Sequence, residues 1–178
     1  MTGRYFGVVT GLVTDVSDPE GLGRIRVELT YLEEGNQSAW ARLATSLAGD
    51  DRGGWFLPEV GDEALVAFEM GDVNRPFVLG FLWNGDGAPP ETDTLKRILK
   101  TVSGHKITFD DNSGSETILI EDSSGKNKIT LDTNGISIET TGDFKIKAKT
   151  FSVEADTTLD LKASAKLSVK GSPVHLNP

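Results

Sequence analysis

A chain of 178 residues that is 25% charged and 37% apolar is long enough for one domain or two small ones, and it has the make-up of a folded protein. The absence of cysteine excludes disulfides, thiolate metal sites and a cysteine nucleophile, and a net charge of -9 argues against a nucleic-acid partner. No apolar run is long enough to span a membrane and the opening MTGRYFGVV lacks the apolar core of an export signal, so cytoplasmic synthesis is expected.

The two halves differ in kind. Residues 1–90 hold six arginines and no lysine against fourteen acids, together with ten of the thirteen aromatic residues, so a bulky aromatic core is expected there. From residue 91 onward there are eleven lysines and Arg97 against thirteen acids. The join is NGDGAPPETD, whose turn formers and prolines end a strand, and the boundary is set at Pro89 and Pro90.

In chain order, residues 5–16 form a β-rich run, PEGLG is a turn, and 24–29 alternates with Ile25, Val27 and Leu29 on one face. Residues 40–47 offer another strand, and 64–70 and 77–83 form a second hairpin across GDVNRP. Five short strands with glycine-rich corners suit a small closed barrel of the OB type better than a sandwich of about seven strands.

The second half repeats. Apolar pairs at i and i+2 recur as Ile107/Phe109, Ile118/Ile120, Ile129/Leu131, Ile136/Ile138, Phe144/Ile146, Phe151/Val153, Leu159/Leu161, Leu167/Val169 and Val174/Leu176, with starts 11, 11, 7, 8, 7, 8, 8 and 7 residues apart. Polar residues between the members give the period of two expected of a strand with one buried face. Between 144 and 170 there is no glycine, proline or asparagine to reverse the chain, so it is expected to bend at each corner and keep winding. A unit of seven or eight residues covers one side of a coil, and three chains about a common axis would supply three sides. The pairs from Ile107 to Val169 are then the expected trimer core. A monomeric sheet or single-chain solenoid is the alternative.

DPEGLGRIRVEL and FLPEVGDEALVAFEMGDVNRPFVLGFLWNGDGAPP resemble the OB domain of the phage baseplate assembly protein V family, shared with the valine-glycine repeat (VgrG) spike proteins of type VI secretion. KRILKTVSGHKITFDDNSGSETILIEDSSGKNKITLD looks like the opening of that family's β-helical spike. The resemblance implies an all-β chain: an OB barrel over 1–90, a connector over 91–104, and an intertwined triple-stranded β-helix with its tip over 105–178. It implies a homotrimeric, non-enzymatic spike at the centre of a contractile injection system, puncturing a membrane and built into the baseplate of a phage or phage-like particle. With the barrel starting so early, the hub is expected to be a separate protein, and no lysozyme insert or effector extension is expected. A proline-alanine-alanine-arginine (PAAR) repeat protein is the tip partner it suggests, held by Ser172, Pro173, Val174, His175, Leu176, Asn177 and Pro178. The alternative function is a β-helical tailspike or adhesin acting on surface glycans.

No catalytic residue, metal or cofactor is assigned. Asp110, Asn112, Gly114 and Glu116 spell a fragment of a calcium loop too short to supply the distal glutamate, and a turn is expected instead. His175 is a lone histidine expected to face solvent. Asp62 and Glu63 are neighbours on a strand start and point to opposite faces. The lysines at 145, 147, 149, 162, 166 and 170 are expected on a solvated outer face.

Overall fold

A computed structural model describes residues 4–31 and 37–175. Among the described residues the regular structure is all β apart from one 3-10 turn at Glu69–Gly71, and no helix is long and apolar enough to cross a membrane.

The first half contains β1 (Val8–Asp15), β2 (Arg26–Leu29), β3 (Arg42–Leu43), a small hairpin of β4 (Ala48–Gly49) and β5 (Arg52–Gly53), then β6 (Glu63–Phe68) and β7 (Pro76–Leu82). The main sheet runs β2-β1-β6-β7-β3, with β3 parallel to β7. The chain leading into β3 also pairs with β2, at Gln37 with Glu28 and at Ala41 with Ile25, where two backbone hydrogen bonds of 3.0 and 2.8 Å join the residues. One segment therefore serves both edges and closes the sheet into an OB barrel. Closure brings backbones close: a Cβ on Gly11 of β1 would lie 2.5 Å from Val27 Cγ1 and 2.6 Å from the Glu28 carbonyl oxygen, so only glycine fits.

The alternation in 24–29 holds, because Ile25, Val27 and Leu29 are buried with Val13, Ala41, Ala64, Val66, Phe68 and Val78. The aromatic core does not. Phe68 is its one ring, while Phe6, Trp55, Phe56 and Trp83 lie on the surface. A five-stranded barrel has an interior wide enough for branched aliphatic side chains, and the rings are left to its outside and its loops.

The β1–β2 turn is organised by Asp18. Its carboxylate is 3% exposed, takes a two-pronged bond from Arg24 (2.9 and 2.7 Å), and accepts the backbone N–H groups of Glu20, Leu22 and Arg24. The Arg24 bond above all holds this carboxyl far below the usual range.

The second half is a five-stranded antiparallel meander of β8 (Lys96–Lys100), β9 (Lys106–Asp110), β10 (Thr117–Glu121), β11 (Lys128–Asp132) and β12 (Gly135–Glu139), each strand paired with the next. Residues 96–100, expected within the connector, are thus a full strand: Arg97 and Leu99 alternate with Lys96, Ile98 and Lys100, and all five residues pair with β9. The first four apolar pairs lie on hairpin strands of one chain, because Asp, Asn, Ser and Gly at 111–115, 122–127 and 132–135 reverse the chain between them. Asp122 caps one reversal. The Ser124 hydroxyl and the Asn127 N–H pull its pKa down to about 2.

A depressed carboxylate pKa adds stability above the unfolded value of about 3.9 and loses it as pH falls through the folded one. Asp122→Asn is therefore expected to lower the urea midpoint at pH 7, with the gap to the parent protein narrowing between about pH 4 and pH 2. Circular dichroism at stepped pH reads this, and a constant gap would show that the turn is not held by the carboxylate charge.

Candidate assembly interface

Strand alternation sorts the meander into two faces. One face carries Leu99, Ile107, Ile120, Ile129 and Ile138 in a row across all five strands, and beside it Arg97, Phe109, Ile118, Leu131 and Ile136 in a second row. Nine of these ten side chains are apolar, yet none is fully buried, and Ile136 is 72% exposed. The exception, Arg97, is held by Asp111 at 2.9 Å. Phe144, just past the last strand, lines a groove with Leu99, Ile120, Ile129 and Ile138 at one end of this face.

The other face is charged toward its margins and half-buried at its centre, where Ile98, Thr108, Leu119 and Thr130 stand side by side and Thr108 is buried. Directly opposed residues form ion pairs: Lys106 with Glu121 at 2.6 Å, Lys128 with Glu139 at 3.3 Å and Lys96 with Asp110 at 3.7 Å. Such directly opposed pairs of opposite charge favour the register that aligns the apolar rows.

Beyond 140 the described chain forms no strands with itself. It runs straight and bends at 149–150, 156–157, 164–165 and 172–173, with one apolar pair in each straight stretch. Phe144, Ile146, Phe151, Val153, Leu159, Leu161, Leu167 and Val169 are between 53% and 66% exposed. The structure thus gathers the first four pairs on one face and leaves the next four as a repeating, uncovered series. Ser172, Pro173, Val174 and His175 lie at the last bend and just past it. Leu176, Asn177 and Pro178 lie outside the described residues.

The remaining candidates resolve into local roles. The Asn112 amide and N–H both bond Asp110 Oδ1, holding that carboxyl below the usual range, and Lys96 sits beside it, so the DDNSG stretch is a hairpin turn. Asp62 accepts the Glu59 N–H in a turn, while Glu63 opens β6 and accepts from Asn84. No three His, Asp or Glu residues converge as a metal site among the described residues.

Sequence reasoning missed one surface. Trp55 and Phe56, with Leu22, Leu47 and Phe81, line an exposed groove on the barrel. The Trp55 ring covers Gly23 so closely that a Cβ there would lie 2.7 Å from it. The signal was present in GDDRGGWFLP: rings placed between glycines and a proline sit on a loop.

A closed OB barrel followed by a sheet whose apolar face has no cover among the described residues defines a protein made to assemble with others. Residues 9–83 match the type VI secretion system/phage-baseplate injector OB domain, and residues 96–177 match the phage baseplate V C-terminal trimerisation domain. The chain belongs to this phage baseplate V family of injector spike and baseplate proteins, shared with the VgrG spikes. It is 30% identical to the type VI secretion system spike protein VgrG4b of Pseudomonas aeruginosa over 131 residues, which are 66% of this chain and 16% of that protein. Spike protein VgrG5 of the same organism is 30% identical over 134 residues, 71% of this chain and 16% of its own length. The actin cross-linking toxin VgrG1 of Vibrio cholerae is 27% identical over 128 residues, 61% of this chain and 12% of the toxin. The chain therefore spans about a sixth or less of these relatives. The match over 96–177 is to a trimerisation domain, which supports a homotrimer.

Proposed function

We propose that three copies of this chain form the membrane-puncturing central spike of a contractile injection system, acting mechanically and without catalysis. The observation that carries this reading is the uncovered apolar series from Leu99 to Val169. Burying a large apolar side chain contributes about 1.5–3 kcal/mol, and only other copies offer this series a repeating, matching surface. In the trimer the pairs from Ile107/Phe109 to Leu167/Val169 face a common axis. The barrels form the broad end, which docks on a separate hub protein, and the exposed Trp55 and Phe56 groove belongs to that end. The narrow end at 172–178 carries a PAAR-type tip protein. The chain is made in the cytoplasm and built into the baseplate of a phage or phage-like particle, and it meets the target membrane on contraction.

Light scattering and native mass spectrometry on the purified chain are expected to give three copies, dissociating over hours or longer because separation requires unwinding every layer. A stable monomer with the full β signal would overturn the proposal.

A further inference from the structure

The units after residue 143 are nearly interchangeable on their apolar side. Aligned on their first apolar residue, they read Phe144/Ile146, Phe151/Val153, Leu159/Leu161 and Leu167/Val169, and two positions further on each has a small residue: Ala148, Ala155, Ala163 or Gly171. Such a repeat buries equally well if one chain slides by a whole unit, so hydrophobic packing leaves the register between copies open. The polar position between the second apolar residue and the small one is not interchangeable. It holds Lys147, Glu154, Lys162 and Lys170 in turn. In the meander, outward charges meet a partner on the next strand of the same chain, as Lys106 meets Glu121. Lys147, Glu154 and Lys162 have no such ion-pair partner within their own chain among the described residues, where the one ion pair past 140 joins Lys145 to Asp143.

We propose that Lys147, Glu154 and Lys162 form an inter-subunit charge ladder, each bridging to a second copy of this chain, that fixes the register of the wound trimer. The inference rests on the trimer proposed above. If each chain passes to the next side of the prism at every bend, threefold symmetry places unit n+1 of a neighbouring copy directly beside unit n, running parallel to it at about 4.8 Å. Equivalent positions then stack, so Lys147 meets Glu154 of one neighbour, and Glu154 meets Lys162 of another. Sliding one chain back by a unit stacks each unit on its own equivalent, lysine on lysine and Glu154 on Glu154. Sliding it forward stacks Lys147 on Lys162. The intended register has two opposite-charge contacts, whereas the forward slip keeps one, Glu154 on Lys170, and the backward slip keeps none, which is how a degenerate apolar repeat is made specific. The ladder ends at Lys162, since Lys170 follows it in the column with no acid between.

The chain has no cysteine, so engineered pairs report the register directly. A spacing of about 4.8 Å lies within disulfide reach. Under mild oxidation Ser152→Cys/Asp160→Cys, equivalent positions of consecutive units that leave Lys147, Glu154 and Lys162 in place, is expected to run as a covalent trimer on a denaturing gel, and Ser152→Cys alone as single chains. Equal cross-linking of the single variant, or a trimer in solution that the double variant fails to cross-link, would overturn the ladder while leaving the trimer standing. A monomer in solution would overturn both. Independently, Glu154→Lys is expected to unfold about tenfold faster in low salt, an effect that disappears in about 1 M salt, where charges are screened within roughly 3 Å. Lys147→Glu/Glu154→Lys/Lys162→Glu restores alternation and is expected to recover the parent rate, and failure to recover would sink the proposal.

Discussion

Val153→Asp is expected to abolish the trimer, while Ser152→Asp, one residue earlier, leaves it assembled. In the proposed wound trimer Val153 would point to the axis with its two symmetry mates. Aspartate there brings three carboxylates together in a dry interior, where desolvation and like-charge repulsion together cost several kcal/mol. The carboxyls can escape by taking up protons, so some trimer is expected to return below about pH 5, as a buried acid with a raised pKa requires. In the same proposed arrangement Ser152 would point outward between Lys145 and Asp160 of the stacked units, so a new carboxylate there would stay solvated beside one charge of each sign. Sedimentation at pH 7 reads both variants. Equal loss of trimer in the two would show that the alternation of faces beyond residue 143 is misassigned.

The alternation of apolar and polar residues was legible in the sequence, and the reason is physical. A side-chain period of two leaves a trace wherever one face is buried, whether by the same chain or by another. Ile25, Val27 and Leu29 have it and are covered by their own barrel. Ile118/Ile120 and Ile129/Leu131 have it equally and are left half open. Periodicity therefore marks a face to be buried without naming what covers it. The nine-fold repeat also concealed a division. The first four pairs are separated by Asp, Asn and Gly turns and fold back as hairpins, whereas the later units lack those residues and bend without reversing. Turn chemistry, not the apolar pattern, separates the two modes.

Other features were harder to read. Lys96–Lys100 hides a strand because three of its five residues are basic, and its pairing with β9 shows only once Lys96 is seen beside Asp110 and Leu99 beside Ile107. Trp55, Phe56 and Trp83 were expected in the core on composition, although a narrow barrel has no room for them. Residue type sets how much area an aromatic side chain can bury, and the radius of the barrel decides on which side it does so.

Deleting residues 172–178 is expected to leave the trimer intact and to abolish retention of the tip protein. The trimer survives because the apolar units from 99 to 169, which supply nearly all of the buried surface in the proposed assembly, are untouched. The tip is lost because an assembly of parallel, wound strands has to end somewhere, and its last layer presents unpaired backbone groups and the end of an apolar core. Val174, 45% exposed in the single chain, follows the last bend at 172–173 and would supply an apolar part of that end. A tip protein that covers it satisfies the strand edges and narrows the point, and both roles vanish with the segment. In particles assembled with the shortened chain, the tip protein should be missing from the purified baseplate while sheath and tube remain. Killing or delivery should fall by the same factor as tip occupancy. Retention of the tip protein at parent levels would move its binding surface away from 172–178, and a dissociated trimer would instead mean that the final turn belongs to the core of the spike.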